Sequence, residues 1–583
     1  MRRALSLALA ALIGSGCSMV GLEADEAPPT ENVCESSADC GGGACVGGQC
    51  HAQAGELTTV LFEITPPMTS GEGFAGVHFL ERMTGLPRGG GALDLSIEQM
   101  AEVRGSVTLP SGATSMVSSC AFKVTFTPSE RLLGLSATSY SVKNDASEPF
   151  SLGMPAGRYD IYVQPLPLAP AAPCEATPVV LRAQVIEAGN VELPIVVPEP
   201  KRLHLEVVPP TRVSLLDWSV ALVDPLTGRA LSVVRKQDAT TADLDFLAVV
   251  GGDDKDAGHE LLRLTPPSGL VAPTFLMDRS ALELFTEGEA TVTGLTFPDP
   301  VRLEGRVEVG RTSESVSADV SFVATQLDGI TPGTLAGFAR TVQSDAAGRF
   351  AVELLAGTYR VRAVPVGAQP VARGSGPAPL AASEDTWVVA SSPAKQAGRL
   401  IQLGPSARLT GSVASPGGSV MSGATVQAIA SPARLNAGVL DVALGEAPFV
   451  PRASSETMGD DGVFTLFADP GVYDVAVLPA DGTGFAWLVR PNVEASTGIA
   501  DLGRLTLPLP VVYRGSVTVA GRADPTSQEA VVVPGALIRA YVYMDQGQAY
   551  AADPAAAASV LQIAETRADQ QGAFRLLLPS HLD

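Results

Sequence analysis

Histidine is scarce in this chain. His51, His78, His204, His259 and His581 are scattered over 583 residues, and no two stand at metal-ligand spacing. There is no Gly-x-Ser-x-Gly elbow, no P-loop and no dinucleotide fingerprint, so the common hydrolase and nucleotide-enzyme signatures are missing. Aromatic residues make up only 5%. Trp218, Trp387 and Trp487 each lie in an alternating apolar run, which reads as core packing rather than as a row of sugar-stacking platforms. Basic residues are outnumbered, 39 to 62, for a formal net charge of −23. An acidic surface without a basic stripe repels phosphate backbones and argues against nucleic-acid binding. No stretch keeps a 3.6-residue apolar period, and none is long and apolar enough to span a bilayer as a helix.

What is present is β-structure. Charged residues are 17%, mean hydropathy is +0.22, and the chain carries 59 Gly and 45 Pro. Such a chain can bury cores, and its length calls for several domains. Short alternating runs are punctuated by Gly, Pro and Asp, which argues for an all-β protein.

The clearest run starts at Asp345-Ala346-Ala347-Gly348-Arg349-Phe350 and continues through Ala356-Gly357-Thr358-Tyr359-Arg360-Val361. Asp345 and Gly348 are turn residues. Phe350, Val352 and Leu354 alternate on one strand face. Ala-Gly-Thr-Tyr then turns a corner, where a Tyr hydroxyl often bonds the backbone in Greek-key sandwiches. Tyr359, Val361 and Ala363 point inward, while Arg360 and Arg362 point to water. Gly305-Arg306-Val307 precedes this run, and the pair recurs. Gly105-Ser106-Val107 leads to Asp145, Phe150, Gly157 and Tyr159. Gly411-Ser412-Val413 leads to Gly462, Phe464, Gly471 and Tyr473. Gly515-Ser516-Val517 leads to Asp569, Gly572 and Phe574. Gly423-Ala424-Thr425-Val426 and Gly535-Ala536-Leu537-Ile538 add a middle element to the last two copies. The whole pattern resembles the carboxypeptidase regulatory-like domain. That resemblance implies a transthyretin-like sandwich of about seven strands, in a family that serves as an accessory module.

The first residues, Met1-Arg2-Arg3, are positive, and 4–13 are apolar, as in a signal peptide. Gly14-Ser15-Gly16-Cys17 resembles the lipobox of bacterial lipoproteins, with Gly14 where Leu is usual. The resemblance implies lipidation of Cys17, and Ser18 implies the outer membrane. The alternative is an ordinary signal peptide cut nearby, giving a secreted protein. Lipidation also accounts for the odd member of seven cysteines. Cys34, Cys40, Cys45 and Cys50 cluster in a Gly-rich stretch. In an exported chain without paired CxxC spacings they read as disulfides rather than a zinc site, in a pairing the sequence leaves open. Cys120 shares a strand face with Phe122, Val124 and Phe126, and is expected to pair with Cys174.

Two metal patterns fail. His78-Phe79-Leu80-Glu81 has the His-x-x-Glu spacing of zinc carboxypeptidases but no second His downstream, and reads as part of a half-exposed strand. The acidic run 251–256 lacks the ligand positions and closing Glu of an EF-hand. No cofactor or metal is expected.

The organisation expected is therefore a rod of tandem Greek-key β-sandwich modules behind a signal peptide and a small Cys-rich segment. Residues 1–16 are the signal peptide and 17–56 the lipid-anchored tether with its Cys-rich segment. Residues 57–200 form a sandwich with the first repeat, 201–300 an Ig-like sandwich, and 301–400, 401–508 and 509–583 the remaining repeats. The offset from Phe350 to Tyr359 recurs from Phe150 to Tyr159 and from Phe464 to Tyr473; from Phe574 it lands on Asp583. The fourth repeat so lacks its Tyr strand. Either the chain is incomplete, or a partner donates the strand by β-augmentation. The functional expectation is a non-enzymatic surface lipoprotein for adhesion or assembly, held to the membrane by its lipid. The alternatives are a carbohydrate- or peptide-binding receptor and, further off, a secreted hydrolase.

Overall fold

The computed structural model describes residues 44–46, 49–51, 441 and 444. Apart from isolated positions it also describes 59–67, 77–86, 90–108, 120–145, 149–168, 174–197, 201–207, 217–236, 243–248, 260–278, 289–292, 295–367, 379–391, 396–432, 449–523, 530–544 and 558–580. The chain divides into two units, Met1–Glu56 and Leu57–Asp583. In the first, Ala44–Val46 and Gln49–His51 form a hairpin whose register sets Cys45 opposite Cys50. Cys17, Cys34 and Cys40 lie outside the described residues.

The second unit is built almost wholly of strands, and its pattern is plainest in the second repeat. Val301–Val309 lies between Arg349–Leu354, which is antiparallel to it, and Gln396–Leu403, which is parallel. Facing this three-stranded sheet is one of four strands, ordered Ala339–Gln343, Ala318–Leu327, Gly357–Pro365, Ser383–Val389. Phe350, Val352 and Leu354 are buried and their neighbours exposed, as the alternation requires. They meet Phe322, Tyr359, Val361 and Trp387 in one core. Each such side chain contributes roughly 1.5–3 kcal/mol on burial. The repeats at 101–196 and 407–506 have the same three- and four-stranded sheets in the same order.

The recurring Gly-x-Val and Phe are one device. Gly105, Gly305, Gly411 and Gly515 sit directly opposite Phe150, Phe350, Phe464 and Phe574 on the neighbouring strand. In the first three the Phe ring folds back over its glycine: a Cβ on Gly305 would lie 2.3 Å from the Phe350 ring tip, one on Gly105 2.6 Å from that of Phe150 and one on Gly411 2.8 Å from that of Phe464. Only glycine leaves room there. The turn before the Phe is closed by Asp345, whose Oδ1 accepts from Arg349 N at 2.8 Å. Gly348 there takes φ +71°. At the corner after the Phe strand, the Tyr159, Tyr359 and Tyr473 hydroxyls donate to the carbonyls of Pro155, Leu355 and Asp469, at 2.9, 2.8 and 2.7 Å.

Residues 201–300, read from sequence as Ig-like, share the topology of the repeats without their motif. Lys201–Val207 pairs antiparallel with Asp243–Ala248 and parallel with Glu289–Val292. The opposite sheet runs Arg235–Lys236, Ser219–Val223, Leu261–Thr265, Thr274–Asp278, extended at its edge by Leu335–Gly337 of the next module. Trp218, 1% exposed, stacks on Phe275 in its interior.

The fourth repeat corrects the expected boundaries. It contributes Pro510–Ala523, Leu537–Tyr543, Ala558–Arg567 and Ala573–Pro579. Where the other modules have their Tyr strand, Thr59–Thr65 pairs with Leu537–Tyr543, and Phe79–Thr84 pairs beyond it. Where they have their last strand, Gly91–Ala92 and Leu95–Ile97 run parallel to Pro510–Ala523. Residues 59–97 thus belong to the sandwich of the fourth repeat, and that of the first begins at Ala101. The edge expected to stand open is filled by the chain itself rather than by a partner, because 59–97 offers strands of matching alternation.

Three further contacts join elements. Cys120 and Cys174 are bonded, with Cα atoms 5.1 Å apart. Leu132–Leu133 of the first module extends the sheet of the fourth beside Ala558 and Ser559. Between the second and third repeats, the buried carboxylate of Asp469 takes the Arg452 guanidinium in a fork, at 2.8 and 2.9 Å. Asp469 also accepts from Ala382 N of the preceding module at 2.7 Å. Arg362 departs from its expected exposure at this joint. Its side chain is 11% exposed beside Glu384, and burial pushes its guanidinium down to about 9.

Candidate functional site

The fourth sandwich is where the two ends of the second unit meet. Thr59–Thr65 alternates, so Val60, Phe62 and Ile64 point into the core with Phe79 and Leu95. They pack there against Tyr513, Val517, Ile538, Phe574 and Leu576 of the fourth repeat. At the last-strand position, Leu93 N donates to Arg514 O at 2.9 Å. Asp94 Oδ1 accepts from Ser516 N at 3.1 Å. The Leu93 carbonyl presses on Gly515 so closely that a Cβ there would sit 1.8 Å from it. Leu193 and Gly503 present their carbonyls to Gly105 and Gly411 in the same way, so residues 91–97 fill the slot of a true last strand.

On the other face of Thr59–Thr65, Glu63 is 2% exposed. Its carboxylate accepts from the Tyr541 hydroxyl at 2.8 Å and pairs with Arg539 Nη1 at 3.4 Å. It also accepts from Nδ1 of His78, just before Phe79–Thr84. Arg539 Nε goes on to Glu565 at 2.8 Å. This row crosses the seam between the early strands and those of the fourth repeat. Burial pushes the Glu63 carboxyl up, but the bonds from His78 and Tyr541 and the charges of His78 and Arg539 outweigh it and hold the group below its usual range. A buried carboxylate satisfied in this way is a clip: loss of one partner would leave charge buried and exposed to the full desolvation cost.

His78 and Glu81 do not converge. Three residues apart near one strand, they leave opposite faces; Glu81 accepts from Ser96 N at 3.4 Å. Among the described residues no group of three or more His, Cys, Asp and Glu could hold a metal. Trp218 and Trp387 are core residues, and Trp387 Nε1 donates to Asp385 at 2.9 Å. The acidic run 251–256 lies outside the described residues. Sequence reading missed Glu63, Arg539 and Tyr541; the one signal was a Glu in the middle of the apolar run Thr59–Thr65.

No known protein family's profile matches the chain, and no curated protein matches it. Solved structures do. A Streptococcal ancillary pilin matches at 13% identity over 53% of this chain and 99% of its own, TM-score 0.19. The Bacillus anthracis TIE protein matches at 9% over 67% and 68%, TM-score 0.16. The shaft pilin SpaA of Lactobacillus rhamnosus GG matches at 13% over 36% and 98%, TM-score 0.15. Likenesses at these scores carry no argument; the fold rests on the strand pairing described above. No helix of the described residues is long and apolar enough to cross a membrane.

Proposed function

We propose that the chain is a non-catalytic surface lipoprotein whose sandwiches, related to the carboxypeptidase regulatory-like domain, form a scaffold for adhesion or assembly. The observation that supports this reading is the closure of the fourth sandwich by residues 59–97. It ties the two ends of a long array of sandwiches into one module, which suits a part that must keep its shape while something pulls on it. The motif-bearing sandwiches and the lipobox-like run at Cys17 agree with a carrier held at the outer membrane by an acyl anchor. In this reading the Cys34–Cys50 segment is a disulfide-stabilised spacer.

Fractionation and competition test it together. Cys17→Ser is expected to move the protein from the membrane fraction to the supernatant. The released protein, added in excess, is expected to block attachment of cells that carry the wild type. Retention in the membrane at wild-type level removes the anchor, and attachment indifferent to saturating soluble protein removes the adhesive role.

A further inference from the structure

The outer face of the four-stranded sheet of the first module is polar. In Cys120–Pro128, Phe122, Val124 and Phe126 point inward and Lys123 and Thr125 outward. In Gly157–Pro167, Ile161 and Val163 point inward and Tyr162 and Gln164 outward. Register aligns these outward residues: Ser141 stands opposite Thr125, Thr125 opposite Tyr162, and Lys123 opposite Gln164. The turn 224–230 of the next module forms a wall on this face. Tyr162 donates its hydroxyl to Ala230 O at 2.9 Å, Arg182 bridges Asp160 at 2.9 Å and Asp224 at 2.5 Å, and Arg131 donates to Leu226 O. The Arg229 guanidinium then lies 4.9 Å over the Tyr162 ring. Between wall and sheet is a groove of about 550 Å³, within the usual size of a small-ligand site.

Its charge suits an anion. Many cations on the outer faces of this protein are answered by carboxylates, as Arg104 is by Glu102, Arg302 by Glu304 and Arg539 by Glu565. Lys123 and Arg229 both line the groove, and neither has a carboxylate partner among the described residues. Two cations without a described carboxylate partner, in a chain of net charge −23, make a local anion site, and a guanidinium suits a carboxylate or a phosphate through paired bonds. The rest of the lining is mostly hydroxyl and amide, from Thr125, Ser139, Ser141, Tyr162 and Gln164, with Ala230 beside them. A row of neutral donors and acceptors beside cations matches a sugar that carries both hydroxyls and a carboxylate. A neutral sugar would want the Tyr162 ring to stack on, and Arg229 covers it. A peptide would want a free sheet edge or an apolar socket. Cys120–Pro128 and Gly157–Pro167, which form the floor, are paired on both sides.

We propose that this groove, at the joint of the first two sandwiches, binds a uronic-acid-bearing polysaccharide, with Lys123 and Arg229 on its carboxylates. This names a ligand for one face of the scaffold, and the scaffold reading stands or falls separately, by the Cys17 and competition measurements.

Calorimetric titration of the full-length protein at low salt, with a hexagalacturonate, maltohexaose and hexaglutamate, decides it. Hexagalacturonate is expected to bind and maltohexaose not to. Affinity should fall at least tenfold in Lys123→Gln/Arg229→Gln, and severalfold between 20 and 200 mM salt by screening, on the order expected for exposed charges. Thr125→Asp, at a partly exposed position that places a negative charge in the groove without touching the wall, should weaken binding as strongly while melting like wild type. Absence of uronate binding at millimolar concentration overturns the proposal. So does binding unchanged in both variants, or hexaglutamate binding as tightly as the uronate.

Discussion

The third and fourth repeats reach the same sandwich by different routes. In the third, strand follows strand: Val463–Ala468 passes through Asp469 and Pro470 into Gly471–Leu478. Tyr473 locks that corner with bonds to the Asp469 and Arg452 carbonyls. In the fourth, the strand in the same place comes from the other end of the sequence. Val60 stands where Tyr473 stands: Val60 pairs with Val542 and Tyr473 with Ala430, and each of those lies six residues past the Ala of its Gly-Ala pair, 542 − 536 and 430 − 424. The Phe strand Ala573–Pro579 does not run on into Thr59–Thr65, so the local bond by which Tyr473 closes on the end of its own Phe strand has no counterpart in sequence there. The Tyr therefore belongs to the connection, whereas the Gly–Phe pair, kept in both modules, belongs to the sandwich.

The largest effect should come from taking the early strands away. With 57–97 deleted, residues 510–579 should lose hydrogen-exchange protection while 407–506 keep theirs. A peptide of residues 57–98 added in trans should restore it. Protection of 510–579 without any added strand would end the comparison. Next is the glycine under the last strand. In Gly515→Ala the new Cβ meets the Leu93 carbonyl at 1.8 Å, and in Gly411→Ala it meets the Gly503 carbonyl at 2.8 Å. Overpacking of about 1–3 kcal/mol is usual, and Gly515→Ala should lie at the top of it, read as the drop in urea midpoint of that module's exchange protection. Equal drops would mean the donated strand yields as easily as a native one. Smaller again, Tyr473→Phe should cost the third module about 1–2 kcal/mol, since it strands a buried carbonyl partner. At the equivalent position of the fourth module, Val60→Tyr should be no less costly than Val60→Phe, because the hydroxyl has no corner bond of this kind to make.

The smallest concerns acid. The Glu63 carboxyl lies below its ordinary 4.5. Its contribution is complete above that value and is lost as pH falls on through the lowered one. The third module sets two groups against each other. Asp469 is buried, which raises it, but is held low overall by Arg452 and Ala382. Asp474 is raised by burial, so its penalty is relieved by acid. The fourth module holds the same opposition, since burial raises Glu81, so substitution isolates the Glu63 contribution: Glu63→Gln should flatten the fourth module's loss of protection as pH falls below 4.5, at some cost near neutrality. An acid slope unchanged by Glu63→Gln under exchange measurement would contradict it.

The repeats were legible because the residues that define them answer one another locally. Asp345 bonds the backbone four residues on, and Tyr359 the carbonyl four residues back. What escaped was non-local or unsigned. The bond from Tyr541 to Glu63 spans 478 positions, and alternation in Thr59–Thr65 tells that a strand exists but not which strand it joins. Residues 201–300 kept the topology but replaced the Gly–Phe pair: Leu205 faces Leu244, and without that device no motif marks the fold. Glu63 was invisible for a related reason, since its partners come from Arg539, Tyr541 and a residue ahead of the next strand.

The seam between Thr59–Thr65 and Leu537–Tyr543 also sets a timetable. During synthesis the early strands emerge long before the strands they need, and the third module can fold while they wait. Closing a loop of this length costs little more entropy than closing one half as long, about 0.6 kcal/mol per doubling, so the delay is one of order rather than of difficulty. Until the last part is made, Val60, Phe62 and Ile64 remain an uncovered apolar strand, the kind of surface that chaperones hold and proteases find. Of the sandwiches described, the fourth is thus the last whose strands have all been made, and its completion reports that the early and late strands of the unit have met.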